Sequence, residues 1–207
     1  MSEYLDNNEI STELLLNGQL QGKLFPVDLL HDRLLILKCS NNGLKELPEL
    51  PKSLKELYCS LNELEELPEL PESLEKLICN FNKIKKLPKL PNKLIHIECW
   101  NNELKELPEL PESLEYLSII NNKIKGLPKL PNKLRELYCQ SNRIKEFGIL
   151  PESLNTLSCW CNPIECIIPE KFVLMQGYRV EGEKWLSEIY ELSKMKNKIN
   201  NILNKII

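Results

Sequence analysis

The chain has 207 residues, 42% of them hydrophobic, with 27 basic against 30 acidic side chains; that suffices for one domain with a substantial core and is too evenly charged for a general nucleic-acid binder. The first nine residues are acidic and lack the apolar run of a secretory leader, no later stretch is apolar enough to span a bilayer, and no Asn-x-Ser/Thr sequon occurs. An intracellular working place, with neither membrane nor nucleic acid as partner, is the expectation.

Residues 1–33 are expected to form an N-terminal cap. Residues 12–16 and 19–23 flank Asn17-Gly18, the two-residue signature of a tight β-hairpin. Leu24, Val27 and Leu30 then fall on the frame of the repeats that follow, so the remainder of the cap is expected to be a decayed half-repeat. Residues 24–34 alone also resemble a fragment of an F-box, but an F-box needs a complete helical bundle, which the hairpin signal opposes.

Residues 34–167 are seven copies of a 20-residue unit. Asn recurs at 42, 62, 82, 102, 122, 142 and 162, and Leu at 34, 54, 74, 94, 114, 134 and 154. Cys stands at 39, 59, 79, 99, 139 and 159, with Ile119 as the exception. A fixed period of this length predicts stacked coils, each too short to bury its own apolar face and each covering its neighbours. The LxxLxC spacing predicts one short strand per coil with Leu and Cys inward. Cys there is a small core residue, expected as a reduced thiol because a periodic column offers no preferred pairing. Each Asn amide is expected to satisfy backbone groups of adjacent turns. Two prolines per coil disfavour helix and favour an extended, polyproline-like return. Charges alternate along two columns, Glu63, Lys83, Glu103, Lys123 and Glu69, Lys89, Glu109, Lys129. Stacking should set opposite signs side by side, which fixes register more than it adds stability.

Beyond Asn162 the pattern decays, and residues 168–207 are expected to form a C-terminal cap. Trp185, Ile189, Leu192, Met195, Ile199, Ile202 and Ile206 recur at steps of three and four, predicting an amphipathic α-helix over 182–206. Such a helix spans roughly 37 Å, more than one coil can cover. It is expected either to cap the last coil or to project towards a partner or a second copy.

The column pattern LxxLxCxxNxLxxLPxLPxx, with Leu47-Pro48-x-Leu50-Pro51 and its copies at 67–71, 87–91, 107–111 and 127–131, resembles the short "LPxLP" subclass of the leucine-rich repeat. The resemblance covers about two thirds of the chain. It implies a solenoid with a parallel sheet on its concave face, a protein partner and no cofactor. That subclass is known from bacterial effectors that act inside host cells, and similar repeats occur in giant DNA viruses. Some effectors of this type carry a ubiquitin-ligase domain with a catalytic Cys after the repeats. Here no Cys follows Cys166, so that activity is not carried over. A ubiquitin-ligase component, truncated or adaptor, is the alternative; a protein that self-assembles through the 182–206 helix is another.

Few residues invite chemistry. Cys159, Cys161 and Cys166 cluster, but their spacing fits no zinc pattern. Cys161 should point away from the core. His96 has no triad partner at a suggestive spacing, and the seven glycines form no phosphate loop. No catalytic residue, metal or cofactor is therefore expected. The third, fifth, seventh and eighth positions of each repeat face outward and hold Tyr58, Ile78, Phe81, His96, Trp100, Tyr116, Ile120, Tyr138 and Trp160. These nine side chains are expected to be solvent-exposed and to form a protein-binding surface anchored by Trp100, Tyr116, Tyr138 and Trp160. Phe81 is the position with a second option, since the eighth residue could tuck into the turn. The alternative for the whole row is sideways packing as cross-strand ladders without a partner.

Overall fold

The computed structural model describes residues 11–21 and 23–165. Eight strands of three residues each follow one another: β1 (Glu13–Leu15), β2 (Ile36–Lys38), β3 (Glu56–Tyr58), β4 (Lys76–Ile78), β5 (His96–Glu98), β6 (Tyr116–Ser118), β7 (Glu136–Tyr138) and β8 (Thr156–Ser158). They form one sheet in chain order, and every pair is parallel. From β2 onward the register advances by the repeat length, so that Leu37, Leu57, Leu77, Ile97, Leu117, Leu137 and Leu157 lie side by side. The result is the solenoid that the 20-residue period predicts.

Each element of the repeat has a local cause. Leu54 N–H donates to the Pro51 carbonyl at 3.0 Å, and the same turn recurs at Pro71, Pro91, Pro111, Pro131 and Pro151, delivering the chain back into the next strand. The strand's central residue and the Cys that follows it point inward; Leu57, Cys59, Leu77, Cys79, Ile97 and Cys99 are all fully buried. Burying one such Leu stabilises the fold by about 1.5–3 kcal/mol, and the column supplies one per coil. The Asn ladder closes each turn. Asn102 Nδ2 donates to the Cys79 carbonyl at 3.0 Å and the Cys99 carbonyl at 3.2 Å, while its Oδ1 accepts from Ile84 N–H at 3.0 Å. Asn62, Asn82, Asn122, Asn142 and Asn162 repeat this bridge to two coils at once. Asn is suited to it because one short side-chain amide both donates and accepts.

The expected N-terminal hairpin is not formed. Residues 13–15 run parallel to β2, with Leu14 beside Leu37. The Thr12 carbonyl accepts from Leu35 and Ile36 N–H, and Leu16 N–H donates to the Lys38 carbonyl at 2.7 Å. A lone two-stranded hairpin is marginal in water, whereas the open edge of β2 offers a row of unpaired peptide groups and a core for Leu16 and Leu20, both buried. Asn17-Gly18 serves another purpose. Gly18 takes φ +66°, the same left-handed conformation as Asn41 at φ 59° one coil later, so the dipeptide ends a strand instead of joining two. The half-repeat frame also slips here: Leu24 and Val27 are exposed, and of that trio only Leu30 packs against the core. Residues 24–34 contain one 3-10 turn, Val27–Leu29, and not the helices of an F-box. The helix predicted over 182–206 lies outside the described residues, as does Cys166.

Candidate binding surface on the concave sheet

Because strands alternate, the first and third residues of each three-residue strand project from the face opposite the core. The parallel register stacks them into columns about 4.8 Å apart. One column runs Ile36, Glu56, Lys76, His96, Tyr116, Glu136, Thr156; the next runs Lys38, Tyr58, Ile78, Glu98, Ser118, Tyr138, Ser158. Two positions beyond each strand stand Ser40, Ser60, Asn80, Trp100, Ile120, Gln140 and Trp160. The residue after that is left-handed in every coil, from Asn41 through Leu61 (φ 55°) and Phe81 (φ 53°) to Cys161 (φ 53°).

All nine predicted residues lie on this face, but their exposure differs from expectation. Only Phe81 at 42% and Trp160 at 45% are exposed. Tyr58, Ile78, His96, Trp100, Tyr116, Ile120 and Tyr138 are half-buried, because rungs this close cover one another's flanks. His96 stacks on Tyr116 with ring centres 4.2 Å apart and planes 5° off parallel, and Tyr116 meets Tyr138 at 5.5 Å. Phe81 does not tuck into its turn; it packs edge-on against Trp100 at 4.5 Å. The cross-strand ladder is therefore present, and its aromatic faces form the floor of the concave surface.

The aromatic columns are tied to carboxylates that sequence reasoning passed over. Glu98 Oε1 lies 2.8 Å from His96 Nε2, and its Oε2 accepts from Asn80 Nδ2 at 3.0 Å and Trp100 Nε1 at 3.4 Å. These donors, His96 foremost, hold its carboxyl down at about 2. Tyr138 and Tyr58 donate their hydroxyls to Glu136 at 2.8 Å and Glu56 at 2.5 Å. Burial, helped by Glu98 and Glu136, pushes the Tyr116 hydroxyl up to about 12. Tyr58 sits between Lys38 and Lys76, whose ammonium groups lie 5.5 and 5.4 Å from its ring centre. Leu61, 52% exposed in the same column as Phe81, was also missed. The signal for these residues was available, since they occupy the same columns as the aromatics, but polarity concealed the carboxylates and lysines in a search for apolar anchors.

Among the described residues, four of the inward thiols have raised pKa values. Burial pushes the Cys39 thiol up to about 12 and Cys59 and Cys139 well above their ordinary range; Cys79 is raised by its contact with Cys99 and by burial. A thiol so held is a poor nucleophile. Cys161 is exposed. Among the described residues, no group of three His, Cys, Asp or Glu side chains converges where a metal ion would sit. Charge is concentrated on the flanks. Lys83 pairs with Glu63 at 3.1 Å and Lys123 with Glu103 at 2.8 Å, as the first alternating column predicts. In the second column Lys129 reaches Glu112 at 3.7 Å instead of its column neighbour. A groove of about 1220 Å³ along the segments that follow the ladder Asn is lined by Lys45, Lys83 and Lys85 against Glu63, Glu65 and Glu109.

Solved structures share both this coil and its sequence. The leucine-rich-repeat domain of a Shigella effector is 35% identical, with a TM-score of 0.65 over 75% of this chain and 71% of that one. The chain belongs to the leucine-rich-repeat family, in its bacterial-effector type. YopM from Yersinia enterocolitica WA-314 is 38% identical, with a TM-score of 0.66 over 68% of this chain. YopM from Yersinia pestis, a leucine-rich effector protein, is also 38% identical, with a TM-score of 0.66 over 74%. This leucine-rich-repeat chain spans only 32% and 44% of those two YopM chains. No protein-family model and no curated protein matches the sequence. Effector-type solenoids of this family are protein-interaction scaffolds, and that broad class is the one this chain falls in. No helix among the described residues is long and apolar enough to cross a membrane.

Proposed function

We propose that this chain is a non-catalytic module that binds a partner protein on its concave sheet face, inside a cell, with Trp100, Tyr116, Tyr138 and Trp160 as anchors. The observation that carries this reading is the row of aromatic faces on a sheet surface that no second layer covers among the described residues. Ladder contacts hold the Trp100, Tyr116 and Tyr138 rings in place before any partner arrives, so little of their side-chain freedom is lost on binding. Aromatic anchors of this kind dominate the energetics of protein interfaces. Kinship with effectors supports a working place within a host cell.

The test is affinity capture from a host-type cell lysate, run beside a quadruple Ala variant at Trp100, Tyr116, Tyr138 and Trp160 that circular dichroism confirms is folded. A protein captured by the natural chain and lost from the variant supports the concave face as the site. Equal capture by both moves the site to the flanks or to residues 166–207.

A further inference from the structure

The concave face is electrically lopsided. Its two lysines belong to β2 and β4, where Lys38 pairs with Glu13 at 2.7 Å and both lean over Tyr58. From β5 to β8 the outward positions carry no Lys or Arg at all. They carry Glu98 and Glu136, two strands apart on either side of Tyr116. In the strand register Glu136 is the direct neighbour of Tyr116, and Glu98 that of Ser118, two residues further along the same strand.

We infer that this half of the concave face receives a cationic segment of the partner, an arginine- or lysine-bearing loop or tail, seated over Tyr116 and Tyr138 between Glu98 and Glu136. The inference rests on the docking reading above and names the chemistry of its partner. Two properties converge on a cation. Aromatic faces attract one through their quadrupole. Carboxylates accept its hydrogen bonds, two at once from a guanidinium. The alternatives are disfavoured on the same grounds. An apolar segment would strip water from Glu98 and Glu136 without replacing it, and an acidic one would face two carboxylates on strands whose outward positions carry no Lys or Arg.

The probe is an acetylated Gly-Arg-Leu-Arg-Gly amide, compared with the peptide carrying neutral citrulline for arginine, each titrated while the tryptophan fluorescence of the full chain is followed. At about 50 mM salt, the arginine peptide is expected to bind about tenfold more tightly than the citrulline peptide. Glu98→Gln with Glu136→Gln should lose about tenfold, whereas Glu46→Gln with Glu106→Gln, the same charge change on the exposed return side, should lose less than about twofold. Circular dichroism confirms that both double variants fold. Equal binding of the two peptides, an equal loss in the two double variants, or no response to the arginine peptide at millimolar concentration overturns the inference. The docking reading is judged separately. If the quadruple Ala variant loses its captured protein while that protein still binds the Glu98→Gln, Glu136→Gln chain undiminished, the surface stands and the cationic partner falls.

Discussion

The two faces of one sheet obey different rules. Inward, the same residue returns every twenty positions: Leu or Ile at the strand centre, Cys two residues on in every coil but that of Ile119, Asn at the turn. Outward, the column through Ile36, Glu56, Lys76, His96, Tyr116, Glu136 and Thr156 changes chemistry at nearly every rung. Both faces share one backbone and one register, so the difference lies in what each side chain must satisfy. An inward residue meets copies of itself above and below and has a single volume to fill. An outward residue meets solvent and its flanking rungs, and the fold tolerates whatever stands there.

The sharpest way to break this comparison is to remove one rung on each face. Asn122→Ala strips partners from the Cys99 and Ile119 carbonyls and from Leu104 N–H. It is expected to cost about 3 kcal/mol in urea unfolding. Tyr116→Ala, six residues earlier on the outward face, should cost about 1 kcal/mol, mostly from its stacks on His96 and Tyr138. Equal losses would mean that the outward ladder is structural.

A second measurement sharpens the role of Glu98. Its carboxyl is held at about 2 in the folded chain, against 4.5 ordinarily. A depressed carboxyl contributes stability that is present above the unfolded value and is lost as pH falls from 4.5 through 2. With a quarter of the side chain in water, the contribution is about 2 kcal/mol. Glu98→Gln should therefore lower stability by about 2 kcal/mol at neutral pH and change little near pH 2, which flattens the acid limb, as followed by thermal melts from pH 7 to 2. An unchanged acid limb would show that the His96, Asn80 and Trp100 contacts do not hold the charged form.

The smallest effect concerns the left-handed position. Leu61 adopts φ 55° with 52% of its surface exposed, a conformation that Asn accepts more readily than Leu. Leu61→Asn should stabilise the chain by about 0.5 kcal/mol, raising Tm by a degree or two. A lowered Tm would assign Leu61 a packing role on the concave rim.

The repeat made most of the fold legible. Seven strands, their inward residues, the Asn bridges and the absence of helix on the return were all readable, because each depends on a local pattern multiplied by stacking. The site was legible in outline: the columns told which residues share the face, and all nine lie on it. How they stand there was not. Predicting exposure required treating each side chain alone, whereas neighbours twenty residues apart in sequence cover it.

By itself, then, the sequence determined the period, the register and the core, since identical units have one self-consistent way to stack. Tertiary structure decided the rest. It turned Asn17-Gly18 from a hairpin into a strand exit, because the edge of β2 competes for the same peptide groups with a core behind it. It half-buried the aromatic row by pressing rungs together. And it gathered His96, Asn80 and Trp100 around Glu98, because Asn80 reaches that carboxylate only once the coils that carry them are neighbours.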